Sequence, residues 1–310
     1  MNVQAPFGFV TSCHPGDKIL VQATLASMRH FCPGVPICLI VDEDFGVSDL
    51  VKEYKLILLP IVDLPSTKMK ELMMRNFHAK MAAMWEGPFE HYVFMDSDAI
   101  VWGDFTSYVR HDLDFQIFWN EVSIPHDAST IPSWLKHFYF DAERLRQFDP
   151  SFDWRGHAYF SSGVYACRRN VFSFEEWVRV RSWGTCEAGD QGQLNYLVHA
   201  KTQRGEIKTA VTDLQHLWAF HGKDELVRDC AGAGWHFPKA IRRPRVAHFC
   251  WRKPFLFDRK AYSRPFTIAR LEHHRRRHGN LGAWLAILNE ERNVLLVKLR
   301  RRLKRYAAKM

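Results

Sequence analysis

The chain has 310 residues, 47% of them hydrophobic and 14% aromatic, which excludes a disordered chain and suits one large domain or a domain with an appendage. Its seven cysteines are odd in number, scattered and nowhere spaced C-x-x-C, which speaks against a disulfide framework or a zinc site and for a reducing compartment. The net charge of +9 is uneven: from Arg259 to Met310 there are 15 Lys and Arg against three acids, a net of +12, which leaves the first 258 residues at −3.

In chain order, Phe7 to Ser12 is a short apolar run that ends in turn residues and predicts a buried strand. Residues 16–31 carry Ile19, Ala23, Ala26, Met28 and Phe31 at helical spacing. Val35 to Val41 predicts a second buried strand, and Tyr54 to Leu59 a third. A Met-rich helix is expected from Ser66 to Trp85, with Ser66 or Thr67 as its cap and Gly87-Pro88 as its stop. His91 to Met95 is the next strand. Strands alternating with helices over the first hundred residues imply an α/β layered fold with a largely parallel sheet.

Beyond Asp104 the pattern loosens. Asp114 to Trp119 reads as a strand, and residues 120–158 show no clear period. Tyr159 to Cys167 predicts two short strands around a Ser-Ser-Gly turn. Asn170 to Trp183 predicts a helix capped by Asn170. A further helix starts after Gly189, and Arg245 to Trp251 is a last strand. The N-terminus has neither the basic region nor the long apolar core of a signal peptide, and no stretch reaches the ~18 apolar residues needed to span a bilayer. The expected location is cytoplasmic, or peripheral on the cytosolic face of a membrane.

Three Asp-x-Asp triplets occur: Asp42/Asp44, Asp96/Asp98 and Asp112/Asp114. No strong strand precedes the last. The first follows a strand but runs on into polar, turn-like residues, as an exposed loop does. Only Asp96 and Asp98 have apolar runs on both sides, and burying charge there is costly unless it is paired or bound to metal. The pair falls at the carboxyl end of a buried strand, where open α/β sheets bind ligands. Alternate residues of an extended segment point the same way, so both carboxylates can face one cation. His248, directly after Val246-Ala247, is the candidate third ligand. Two carboxylates with an imidazole favour Mn²⁺ over Mg²⁺. Lys253 lies five residues on, within reach of an anion held by the metal. Such a set suits a nucleotide diphosphate, whose leaving group needs its charge stabilised. Gly163 and Gly189 mark places where backbone can approach a ligand closely. Neither a P-loop nor a dinucleotide fingerprint is present, against ATPase and dehydrogenase readings.

The segment from His78 to Phe105, then Tyr159 to Asn170, Gly189 to Asn195 and Val246 to Pro254 together resemble the glycogenin-like branch of family 8 glycosyltransferases. The resemblance covers about residues 7–255. It implies a GT-A fold, a Rossmann-like α/β domain with a mostly parallel central sheet, over residues 1–258. It implies transfer of a hexose-type sugar from a UDP-sugar to a glycan or lipid-linked acceptor with retention of configuration. Asp96 and Asp98 look like the family's metal-binding acids, with Ser97 between them beside the donor, and His248 looks like the third ligand. Lys80 is similar to the lysine that reaches the donor sugar and phosphate. Asp190 and Gln191 match the Asp-Gln pair beside the reacting carbon. Ser162 stands where the family usually has Asn, Gly163 follows it, and Lys253 looks like the diphosphate-binding lysine. Thr11 to Asp17 would border the base, with Asp17 near the place of the usual aromatic.

Two other readings remain at this stage. A sugar nucleotidyltransferase would need a Gly-rich N-terminal loop with a following Arg and Lys, and Phe9 to Lys18 holds one glycine. A non-catalytic body carrying a membrane- or nucleic-acid-binding tail is disfavoured by the presence of every motif acid, and nucleic acid is the weaker of those partners. Residues 259–310 predict a basic, amphipathic helical tail in two helices. In the second, Leu281, Trp284, Leu285, Leu288, Leu295, Leu299 and Leu303 share a stripe that ends in a basic cluster. Such a helix either lies on an anionic membrane surface or packs on the body with its basic face solvated.

Overall fold

The computed structural model describes residues 4–43, 45–123, 142–153, 157–182, 190–217, 224–230, 232–250, 253–255 and 260–307. In chain order the elements are β1 (Ala5–Cys13), α1 (Lys18–Phe31), β2 (Ile37–Val41), α2 (Ser48–Tyr54), β3 (Ile57–Pro60), α3 (Thr67–Met73), α4 (Ala82–Glu86), β4 (Phe89–Met95), β5 (Ala99–Trp102), β6 (Phe115–Ile117) and β7 (Asn120–Ser123). There follow α5 (Ala142–Phe148), β8 (Ala158–Phe160), β9 (Val164–Arg168), α6 (Phe174–Ser182), α7 (Asp190–Gln203), β10 (Thr209–Val211), β11 (Gln215–Leu217), α8 (Asp224–Cys230), β12 (Arg245–His248) and α9 (Lys260–Ala307).

Seven strands form the central sheet in the order β10-β6-β9-β4-β1-β2-β3. The β1, β2, β3 and β4 pairings are parallel and only β9 runs against its neighbours. The apolar runs of β1, β2 and β4 are buried on both faces, as helix-covered parallel strands must be. One cluster packs Val10, Ile40 and Phe94 under α3, α4 and α7; the other packs Phe9, Leu39 and Val93 under α1 and α2. Each fully buried Val, Leu, Ile or Phe side chain contributes about 1.5–3 kcal/mol. A smaller sheet, β11-β12-β5, sits beside the main one, with β12 antiparallel to β5 and His248 opposite Ala99. This pairing fixes the register between the Asp96/Asp98 segment and the last strand.

Two expectations need correction. The single helix expected from Ser66 to Trp85 is broken into α3, a 3-10 turn at Phe77–Met81 and α4. Arg75 adopts a left-handed backbone, φ 55°, and its N–H donates to Asp42 Oδ1 at 2.8 Å. Asn76 then caps the 3-10 turn by accepting from the His78 N–H. The cap of α6 is Ser173 rather than Asn170: Ser173 Oγ accepts from Glu176 N while Glu176 Oε2 accepts from Ser173 N, a reciprocal capping box. Asn170 lies in a left-handed turn before it, φ 58°.

The stretch expected as a tail folds as α9, which is interrupted at Gly279 with φ 64°. Before the break, Phe266, Ile268 and Ala269 join a core cluster with Leu20, Ala23, Ile100 and Trp102. After it, Ala283 and Ile287 are buried against Leu271. Arg270, 1% exposed, pairs with Glu290 at 2.7 Å and Glu291 at 2.5 Å, and His274 meets Glu290 at 2.9 Å. Leu281, Leu285, Leu288, Leu295, Leu299 and Leu303 face outward. Among the described residues no helix is long and apolar enough to cross a membrane. The six described cysteines are free.

Candidate active site

The site forms at the carboxyl ends of β1, β4 and β12. Asp96 directly follows β4, and its N–H donates to Gly163 O at 2.8 Å while its carbonyl accepts from Ala99 N at 3.0 Å. The chain therefore turns tightly through Asp96-Ser97-Asp98 into β5. Thr24 Oγ1 of α1 donates to Ser97 O at 2.7 Å and holds the tip of the turn. His248 ends β12, and Phe249 N donates to Asp98 O at 3.0 Å, locking that strand end against the turn.

These constraints bring three candidate ligands together. One ligand atom each from Asp96, Asp98 and His248 lie within 4.8 Å of one another. His248 Nε2 stands 3.3 Å from Asp98 Oδ1 and 3.6 Å from Asp96 Oδ2. Gly163 lies against the group: a Cβ there would fall 2.7 Å from His248 Nδ1 and 2.9 Å from Asp96 Oδ2, so only glycine fits. Lys253 Nζ contacts Asp98 Oδ2 at 2.5 Å.

The second half of the site is a buried ion pair. Lys80 Nζ, on the 3-10 turn before α4, lies 2.8 Å from Asp190 Oδ2 and 3.3 Å from Asp96 Oδ1. Ser162 Oγ donates to the same Asp190 Oδ2 at 2.7 Å. Gln191 Oε1 accepts from Ser162 N at 3.3 Å. Asp190 and Gln191 open α7, whose Asn195 reaches back to the Phe160 backbone through both ends of its amide, at 3.0 and 2.8 Å. That bracket sets the Ser161-Ser162-Gly163 turn against the helix start.

Burial and charge act against each other throughout. Burial raises the Asp98 carboxyl, but His248 and Lys253 outweigh it and hold the group well below the usual carboxylate range. For Asp96 burial wins over Lys80 and His248 and pushes the carboxyl up, with the Asp98 and Asp190 charges adding to it. Burial opposes the Lys80 ammonium, yet Asp190 and Asp96 raise its pKa, so it is charged at neutral pH. Burial also works against Lys253, and Asp98 raises it. Burial, helped by Arg181 and Lys80, pulls His78 down to about 4, so that ring is neutral.

The structure thus gathers Asp96, Asp98, His248, Lys253, Lys80, Asp190, Gln191, Ser162 and Gly163. Thr11 is buried near the end of β1, paired with Met95 one residue before Asp96. Asp17, half-buried ahead of α1, is raised by burial, with Lys253 the strongest charge opposing the rise. Gly189 and most of residues 120–158 lie outside the described residues, as does Asp44.

Four residues with a place in this architecture escaped sequence reasoning. Asp42, expected in an exposed loop, is 3% exposed and accepts from Arg75 N at 2.8 Å while meeting His14 Nδ1 at 2.6 Å. It joins the loop after β1 to the turn that carries Lys80. Gln215 and Ser161 pack behind His248. Asn195 follows Asp190 by five residues, but nothing in its spacing tells a backbone bracket from a surface amide.

Comparison with solved structures decides the fold. The bifunctional glycosyltransferase WbbM aligns with a TM-score of 0.50 at 15% identity, over 86% of this chain and 50% of that one. The galactosyltransferase LgtC, solved with donor and acceptor sugar analogues, aligns at 0.51 and 17% identity over 87% of this chain and 95% of that one. The glycosyltransferase GlyE of Streptococcus pneumoniae TIGR4 aligns at 0.51 and 13% identity over 94% of this chain and 63% of that one. The fold is GT-A. The chain spans about half the length of WbbM and under two thirds of GlyE. No protein-family model matches the sequence, and no curated protein does. Within the GT-A fold the Asp96-Ser97-Asp98 turn lies at the carboxyl edge of the sheet, and Lys80 links it to the start of α7.

The donor set fits a divalent cation. Two carboxylates and one imidazole converge within 4.8 Å of one another, and the absence of a side chain at Gly163 keeps a Cβ from crowding His248 and Asp96. Hard oxygen ligands with one nitrogen suit Mn²⁺, and Mg²⁺ with less preference.

Proposed function

We propose that this chain is a metal-dependent glycosyltransferase that moves a hexose-type sugar from a UDP-sugar to a glycan or lipid-linked acceptor with retention of configuration. The observation that carries the reading is the shared position of Lys80, whose ammonium bridges Asp190 at 2.8 Å and Asp96 at 3.3 Å. It couples a three-ligand cluster suited to a diphosphate with a carboxylate suited to a sugar carbon.

In this reading Asp96, Asp98 and His248 hold Mn²⁺ or Mg²⁺. The ion supplies charge neutralisation for the diphosphate leaving group. Lys253, half-exposed and paired with Asp98, swings to the diphosphate and keeps a positive charge there. Lys80 hydrogen-bonds the donor between sugar and phosphate. Asp190, held against Lys80 and Ser162, faces the anomeric carbon with its carboxylate as positive charge develops there. Gln191 and Ser162 fix the start of α7 and orient Asp190. Thr11, Asp17 and Ser97 border the nucleotide. The work divides between two places: a cation held by Asp96, Asp98 and His248 would stabilise the departing group, and Asp190 the carbon it leaves.

The test is a hydrolysis screen across nucleotide sugars with Mn²⁺ present. UDP release from at least one UDP-sugar is expected, and its suppression by chelator. If the folded protein cleaves no nucleotide sugar but makes one from a sugar 1-phosphate and UTP, the nucleotidyltransferase reading replaces this one. An NMR time course of the first product showing an inverted anomer would remove retention.

A second element of the reading concerns location. The outward leucines of α9, with Leu281 76% exposed and Leu285 61% exposed, form an apolar face on a helix whose last turns carry Lys298, Arg300, Arg301, Arg302, Lys304 and Arg305. Apolar and basic faces together match an anionic membrane surface. In this reading the enzyme sits peripherally on the cytosolic face of a membrane, near a lipid-linked or envelope acceptor.

A further inference from the structure

We propose that Gln215 is a positioning residue for the cation site: its side-chain oxygen accepts a hydrogen bond from His248 Nδ1 and so leaves the Nε2 lone pair free for the metal. The inference rests on the metal-dependent reading of Asp96, Asp98 and His248. Gln215 opens β11, which runs parallel to β12 with Gln215 opposite Val246. This places its side chain, 2% exposed, behind the imidazole and away from the carboxylates. The amide nitrogen lies 2.9 Å from His248 Nδ1 and 3.4 Å from Ser161 Oγ. The amide oxygen is buried and has no partner among the described residues.

In that arrangement the amide N–H donates to Nδ1, so the imidazole proton resides on Nε2. There it faces Asp98 Oδ1 at 3.3 Å and Asp96 Oδ2 at 3.6 Å. A proton on Nε2 occupies the lone pair a cation needs. Metal-bound histidines carry the proton on the other nitrogen and donate it to an acceptor behind the ring. A half-turn of the Gln215 amide supplies that acceptor. Oxygen and nitrogen exchange places with almost no change in shape, and which is which is set by the hydrogen bonds around them. Nδ1–H then donates to Oε1, and the Ser161 hydroxyl donates to the same oxygen. Ser161 Oγ still accepts from Gly163 N at 3.2 Å. Two bonds donated by the amide are exchanged for two accepted by it.

The consequence is that the cation site is built from four side chains, the fourth acting through the third. Mn²⁺ alone, without nucleotide, is the probe, titrated calorimetrically into wild type, Gln215→Leu and Gln215→Glu. Gln215→Leu keeps the bulk but accepts nothing, and should weaken Mn²⁺ by about 10-fold or more. Gln215→Glu can only accept, and should bind Mn²⁺ at least as tightly as wild type. ¹⁵N spectra of wild type loaded with diamagnetic Zn²⁺ should place the His248 proton on Nδ1, a readout that survives even if Gln215→Leu does not fold. Equal affinity of wild type and Gln215→Leu, or a proton on Nε2 in the loaded protein, would overturn the inference while leaving the proposed function standing. A wild type that takes up no Mn²⁺ would remove the metal reading and this inference with it.

Discussion

Lys80 and Asp190, 110 positions apart in the chain, meet at 2.8 Å in a site where neither has much solvent. The pair survives burial because each charge is also held elsewhere: Lys80 by Asp96, Asp190 by the Ser162 hydroxyl. A buried ion pair of this kind is costly to break from one side. Its geometry therefore fixes where Asp190 can place negative charge.

Replacing that charge should strike the chemical step. Asp190→Asn is predicted to lower kcat of donor cleavage by about 100-fold or more, with donor affinity little changed, the pattern of an interaction made mainly in the transition state. Steady-state kinetics beside a direct donor-binding measurement decide it. An unchanged kcat would remove Asp190 from the reaction.

The metal cluster carries a second prediction. Asp96→Asn and Asp98→Asn should each abolish transfer and weaken Mn²⁺ binding, with the circular dichroism spectrum retained. His248→Ala should lose most activity together with the preference for Mn²⁺ over Mg²⁺, because the one nitrogen ligand is gone. Full activity of any of the three in chelator-treated buffer contradicts the cluster's role.

Acid should destabilise the protein through His273. This side chain, 1% exposed and hydrogen-bonded to the Tyr54 hydroxyl at 2.7 Å, is pulled down to about 3 by burial, with His274 and Arg277 adding to it. The unfolded chain takes up that proton near pH 6.5 and the folded chain refuses it. The stability that neutral His273 permits is thus full above pH 6.5 and declines by about 1.4 kcal/mol per pH unit toward pH 3. His91, lowered to about 4 by burial, His111 and Arg168, acts with the same sign. Urea midpoints at pH 7.5 and 5 should differ, and His273→Asn should flatten the difference. An unaltered slope in that variant would clear His273.

For the membrane reading, Leu295→Ser, Leu299→Ser and Leu303→Ser together should release the protein from anionic vesicles and leave donor hydrolysis intact. Binding of the wild type should weaken with salt, since each basic residue near the surface contributes about 1 kcal/mol and is screened, yet persist through the apolar contact. Vesicle sedimentation measures both. A wild type that ignores phosphatidylserine-rich vesicles at low salt leaves those leucines without this partner.

Much of the fold was legible because its signals are local. The apolar runs of β1, β2 and β4 are long enough to be buried whichever way the sheet twists, and the two acids after Met95 stand out against them. Gly163 was legible for a similar reason: glycine after two serines marks a turn. What escaped depends on partners far along the chain. The break at Arg75 is made by Asp42, and no pattern between Ser66 and Trp85 announces it. Gln215 sits on a three-residue strand too short to show a period. The capping box at Ser173 was in plain sight as Ser-x-x-Glu, but Asn170 competed for the same role. The body-facing side of α9 was hidden by its leucines: the eye follows the apolar stripe, whereas burial follows Phe266, Ile268, Ile287 and the charged Arg270.

The fold-back at Gly279 has a consequence for how the chain is made. Arg270 finds its acids only at Glu290 and Glu291, twenty residues downstream. A ribosome releases domains from the N-terminus onward, so the helix that covers Leu20 and Trp102 emerges with an unmatched guanidinium and waits for Glu290 and Glu291 to follow. Translation that stops before codon 290 leaves a finished sheet and a complete set of site residues beneath a lid that cannot close without burying a lone charge. Loss of residues 281–310, by a frameshift or a protease, should thus be felt first as short cellular lifetime and poor yield, before any change in chemistry.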